Sequence, residues 1–351
     1  MKSERVLYPD LLRILASFSV VLIHLTSVGI HDYGIGSFTW RVSLAFNSVC
    51  HWAVPAFFMI SGMMFLDPER LVTTKKIFKK NIPKILISIV VWGFFYSFLD
   101  QYIYGGISIR SLLIAVYGII TNNTGYHLWF LYTLLVLYIA TPVLRILTAH
   151  ATKRQLEYAL GIWFVFGVCA GRINEFAGEF LKLEYLLPYE VTATTGPLGF
   201  YLLGYYLKKY SVPQKCMTIL YALTLGCLFG VPVVNIVVSE LTNVKCIAAL
   251  TSQMGICNFI VAVGLFVGAS RIQTEKIAEK AQKVMYWMSK YTFGVYVLHV
   301  FYVSLLFRIL KLDLLGVCTP IMALGLCVLI FALSLLTSWL FSKVPILRKF
   351  I

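Results

Sequence analysis

Charge is what this sequence has least of. Only 13% of its 351 residues are Asp, Glu, Lys or Arg, while 60% are hydrophobic. A water-soluble chain of this length buries one or two cores and covers them with charged side chains, so the scarcity excludes a soluble globular protein. Acidic residues are scarcer still, 15 against 30 Lys and Arg. The net charge of +15 would suit nucleic acid if it formed a patch, but the basic residues fall in short clusters between apolar runs. That pattern orients a polytopic protein and requires no nucleic acid.

The eight cysteines include no C-x-x-C pair, which argues against a zinc site. Most lie in apolar runs, where a thiol acts as a small hydrophobe, so neither a metal nor a disulfide framework is expected. Internal repeats, long linkers and low-complexity tracts are also missing, and residues 1–351 read as a single transmembrane domain. After Lys2 and Arg5 the first apolar run resembles a signal peptide. Asp10 and Arg13 interrupt its start, however, and no small-x-small cleavage site follows before His31, so a retained first helix is expected.

What the chain has in quantity is apolar length. Ten runs approach the length that crosses the hydrocarbon layer: 9–28, 44–66, 82–99, 127–147, 156–171, 192–207, 216–238, 247–269, 291–310 and 314–341. The stretch 107–120 is apolar but brief and reads as a re-entrant or interfacial piece. The fold class predicted is therefore all-α, a polytopic membrane bundle of about ten transmembrane helices. With the N-terminus placed inside, 22 of the Lys and Arg residues fall in inside segments and 7 in outside ones, alternating at every loop. This asymmetry predicts cytoplasmic N- and C-termini in a cell membrane. Glu175, Glu179, Glu184 and Glu190 make the loop after the fifth span the densest acidic stretch; it reads either as a solvated loop or as a wall of an acceptor site.

Ionisable groups inside a membrane are costly and mark function by default. At about 100° per residue, Asp10, Arg13, Ser17 and His24 project within one arc of about 60° on the first helix. Lipid is the wrong surroundings for them, so the stripe faces the bundle interior or a wet cavity. Arg13 and His24 lie three turns apart, about 16 Å along the axis. A guanidinium at the inner boundary suits a grip on phosphate, and an imidazole higher up suits proton abstraction from a hydroxyl. Taken singly, Arg13 could instead be an anchor paired with Asp10, and His24 an interhelical hydrogen-bonder. Their common face favours one shared cavity spanned by a single cofactor.

Asp10-Leu-Leu-Arg13 followed by ten residues and His24 resembles the R-x10-H motif of the acyltransferase 3 family of membrane acyltransferases. Further stretches resemble the same family: Val54-Pro55-Ala-Phe-Phe58-Met-Ile-Ser61-Gly62, then Tyr126-His127-Leu128-Trp129-Phe130 with Thr141-Pro142, and Gly294-Val-Tyr296-Val-Leu-His299. The resemblance implies that Arg13 and His24 are an essential pair. It also implies acetyl-CoA or another acyl-CoA as donor substrate, with no permanently bound cofactor, and a hydroxyl of a surface or lipid-linked glycan as acceptor. Ser61 is a candidate for substrate contact, and Pro55 and Gly62 for shaping a helix. Trp129 reads as substrate-binding or as an interfacial aromatic, and His127 as closing the site beside His24 or as a hydrated interface residue. His299 reads as lining a donor tunnel or bonding between helices; Asn47 and His51 are similarly open. Oligomeric state is not legible. The rival reading, a flippase for a lipid-linked sugar, predicts two related halves with matching broken helices, which the sequence does not show.

Overall fold

The apolar runs become helices. A computed structural model describes residues 6–70, 73–106, 108–183, 196–313 and 320–351, and among them there is helix but no strand. Helix α1 is Tyr8–Asp32, opened by Pro9 in its first turn, where the missing N–H costs nothing. The second span is broken in two, α2 Phe38–Cys50 and α3 Ala53–Phe65, with Ser37 capping α2. Then follow α4 Thr74–Tyr104, the short α5 Arg110–Thr121, α6 Trp129–His150 and α7 Lys153–Leu181. The remainder is α8 Gly196–Lys209, α9 Gln214–Thr242, α10 Ile256–Ser270, α11 Glu279–Ile309 and α12 Pro320–Lys343.

Nine helices or helix pairs among the described residues are long and apolar enough to cross a membrane. The sixth predicted run corresponds to α8, and its first residues, 192–195, lie outside the described ones, as do 314–319 of the tenth. Helix α5 buries only Ser111, Ala115 and Gly118 and exposes Leu113, Tyr117 and Ile120. That one-sided pattern suits a short helix leaning on α4 at the edge of the bundle. Asn122 and Asn243, both left-handed, end α5 and α9 and turn the chain back.

Helix α1 is the hub, packed against α2, α3, α10, α11 and α12. Its partners hold together by close backbone approach. A Cβ on Gly62 of α3 would lie 1.7 Å from the Tyr201 carbonyl oxygen of α8, and one on Gly204 of α8 would lie 1.9 Å from the Met59 carbonyl oxygen of α3. Lipid offers helices no hydrophobic incentive to associate, so intimate contact through small residues supplies it instead. This assigns Gly62 to helix packing.

The helix ends sort into two faces as the alternation of loops requires. On one, Arg145 donates to the carbonyls of Phe65 (3.0 Å), Pro68 (3.3 Å) and Arg70 (3.2 Å), and Thr148 to that of Leu66 (2.7 Å). Lys208 pairs with Asp67 on the same face. Burial opposes the Asp67 carboxylate, but Lys208 and the Glu69 N–H hold its pKa below the usual value. On the other face Arg41 pairs with Glu240 (2.6 Å), and Trp40 donates to the Lys245 carbonyl (3.1 Å).

Candidate active site

Asp10, Arg13, Ser17 and His24 do share one side of α1, and two cavities open along it. The larger, about 820 Å³, lies at the face where α1 begins. Its walls carry Arg13, Arg70, Lys208, Lys209 and Arg271, with Asp10 the one acidic residue. Asp10 is buried, accepts from Ser289 of α11 (2.7 Å) and lies 3.6 Å from the Arg13 guanidinium. The anchor pairing of Asp10 with Arg13 is therefore present, and it ties α1 to α11 while leaving Arg13 in the cavity wall. Arg13 also donates to Met64 Sδ, and Tyr8 Oη donates to Met63 Sδ at 2.8 Å. Four further cations surround a space of this size, which makes it a ready receptor for a polyanion.

The second cavity, about 40 Å³, lies beside His24 and is lined by Val20, Val54, Phe57, His127, Trp129, Phe130, Gln253 and Tyr296, among others. Around it the aromatic rings close in. His24 stands 5.0 Å, centroid to centroid, from both Tyr126 and His299 and 6.3 Å from His127. His127 is 5.4 Å from His299 and meets Tyr96 edge-on at 4.7 Å. Two tyrosines fix this cluster. Tyr296 Oη donates to the His127 carbonyl (2.7 Å). Tyr96 Oη donates to the Val297 carbonyl (2.6 Å) and accepts from the Phe301 N–H (3.2 Å), so it inserts into the turn of α11 that carries His299.

Buried polar atoms normally have partners, and here several do not. Among the described residues, both ring nitrogens of His127, Nε2 of His299 and the hydroxyl of Ser17 are buried without one; His299 Nδ1 bonds the Val295 carbonyl at 3.1 Å. These orphans lie between and around Arg13 and His24, where a polar substrate would satisfy them. Among the described residues no group of three His, Cys, Asp or Glu is arranged to hold a metal ion.

The expected single cavity is not found: the two cavities share no lining residue. Met63, bonded by Tyr8, and Met64, bonded by Arg13, line the large one, and α1 runs on past the buried Ser17 to Val20 before the small one begins. Other candidates are placed elsewhere. Asn47 clamps α2 to α1, donating to the Ile23 carbonyl (3.0 Å) and Thr26 Oγ1 (3.2 Å) and bonding His51 (2.8 Å). Ser61 lines neither cavity. Trp129 lines the His24 cavity. Glu175 pairs with Arg172, Glu179 caps a helical turn, and Glu184 and Glu190 lie outside the described residues. Sequence reading missed Tyr96, Gln253 and the convergence of the four extra cations, and gave Tyr126 no role of its own; the cations left a signal as clusters at inside ends, and Tyr126 as part of the motif that holds His127.

A helical bundle with ionisable side chains gathered in its interior defines a multi-pass membrane protein equipped for chemistry rather than a scaffold. The acyltransferase domain model matches residues 6–343, so the chain belongs to the acyltransferase 3 family and is a membrane acyltransferase. No curated protein and no solved structure matches it.

Proposed function

We propose that the protein moves a short acyl group, acetyl above all, from acyl-CoA to a hydroxyl of a cell-surface or lipid-linked glycan, as one transmembrane unit in the cell membrane. The observation that carries this is the pairing of a pentacationic cavity at one end of α1 with a histidine-lined chamber about three turns further along it. The anionic end of coenzyme A would rest on Arg13, Arg70, Lys208, Lys209 and Arg271. Its pantetheine arm spans a distance comparable to that between Arg13 and His24, and displacing the methionine side chains round Arg13 would open the way. A chamber of about 40 Å³ holds on the order of three water-sized probes, which favours acetyl over a larger acyl group. Within the family, we propose a kinship with the O-acetyltransferase of enterobacterial common antigen, whose motifs these resemble.

In the reaction, His24 takes the proton of the acceptor hydroxyl as its oxygen attacks the thioester carbonyl. The carbon–sulfur bond then breaks, and the departing thiolate receives the proton back from the imidazolium. General-base assistance of this kind is worth roughly a hundred- to ten-thousandfold. His24→Ala in reconstituted protein should therefore lower kcat by at least about a hundredfold with the donor KM little changed. Turnover near that of the wild type would remove His24 from the mechanism.

A further inference from the structure

The acidic stretch after the fifth span has no part in the reading above, yet Glu175 and Glu179 hold a segment that reaches the chamber. Glu179 accepts from the backbone N–H groups of Ala248 (2.9 Å) and Ala249 (3.2 Å), donors otherwise left open where the turn Ala248–Thr251 begins. Ser252 donates to Glu175 (3.5 Å), itself paired with Arg172, and Asn258 reaches back to the carbonyls of Ser252 (2.9 Å) and Thr251 (3.4 Å). The segment 248–255 is thus pinned from both sides, and it contributes Gln253 to the chamber wall.

Gln253 is half-buried, and among the described residues its carboxamide has no hydrogen-bond partner. In the same wall His127, 2% exposed, has both ring nitrogens unpartnered. The buried imidazole calls for a polar partner, and Gln253 in the same wall presents a carboxamide to whatever ligand supplies it. Which ligand follows from position. Gln253 stands just before Ile256, the first residue of α10, whereas the basic cavity lies at the far end of that helix, at Ser270 and Arg271. Fifteen helical residues separate the two by about 22 Å. With the donor's charged end held at the far face, the substrate beside Gln253 is the acceptor. A carboxamide donates and accepts at once, which matches the hydroxyls of a sugar.

We propose that Gln253 is an acceptor-binding residue that holds the hydroxyl-bearing saccharide against His24, and that Glu179 is the positioning residue that sets its loop. The proposal rests on the acyl-transfer reading. The test is transfer of label from radiolabelled acetyl-CoA to envelope glycan taken from cells lacking this protein and stripped of esters by mild alkali. Gln253→Ala should raise the half-saturating glycan concentration about five- to tenfold while the donor KM stays within about twofold. Glu179→Ala should shift the glycan dependence the same way, and Glu179→Gln, which keeps an oxygen for Ala248, should restore most of it. An unchanged glycan dependence in Gln253→Ala, or an equal rise in both KM values, overturns the assignment while loss of transfer in His24→Ala leaves the wider reading standing. Absence of transfer by the wild type overturns both.

Discussion

At the scale of the residue, the decisive contrast is between Arg13 and His24, which share a helix face, and the groups that join them only through the fold. The helical period is a local property, so eleven positions of spacing sufficed to put both on one side of α1. Tyr126 and Tyr96 pack on the histidines and Gln253 lines the chamber from other helices and loops; Tyr126 stands in the same motif as His127, but nothing local announces Tyr96 or Gln253. His127 and His299 were legible as chemistry but not as neighbours. The four cations around Arg13 were legible as orienting charges, and their convergence on one cavity is a tertiary fact. If that cavity holds the donor's phosphates, Arg13→Ala should raise the donor KM about tenfold and Arg271→Ala about threefold, kcat at saturation falling less. Both effects should shrink as salt rises. Steady-state kinetics at two ionic strengths checks this, and an unchanged donor KM in Arg13→Ala would remove it from the phosphate site.

At the scale of the element, the spans follow run length closely because hydrocarbon thickness dictates it. Two features escaped the apolar pattern. The second span is broken between Cys50 and Ala53, and α3 and α8 touch backbone to backbone at Gly62 and Gly204. Hydropathy is blind to both, since a break or a missing side chain barely alters it. The contact is a position where a single methyl group meets backbone that cannot yield. Gly62→Ala should cost about 1–3 kcal/mol, visible as a lower midpoint of thermal unfolding in detergent. A similar loss is expected for Gly204→Ala, and an unshifted midpoint in both would show that the two helices slide apart freely.

At the scale of the whole molecule, the arrangement of charges and the arrangement of helices tell one story. Residues from different inside segments bind one another, Arg145 to the turn after α3 and Lys208 to Asp67. A native thiol offers a test of sidedness. Cys216 is exposed at the start of α9, and Asn243 ends the same helix on the opposite face. In a variant keeping Cys216 alone, a membrane-impermeant maleimide should label inverted vesicles and not right-side-out ones. In the counterpart carrying only Asn243→Cys the pattern should reverse; the same pattern in both variants would contradict the topology.

The gap between the two cavities bears on what the cell can tolerate in its membrane. A passage wide enough for a cofactor arm, if it stood open end to end, would be a pore through which protons and sodium run down their gradients. Because the basic cavity and the histidine chamber share no lining residue, the route proposed for the cofactor arm is interrupted between them. On the proposed route, that interruption would keep the membrane electrically insulating until a donor's arm pushed the intervening side chains aside.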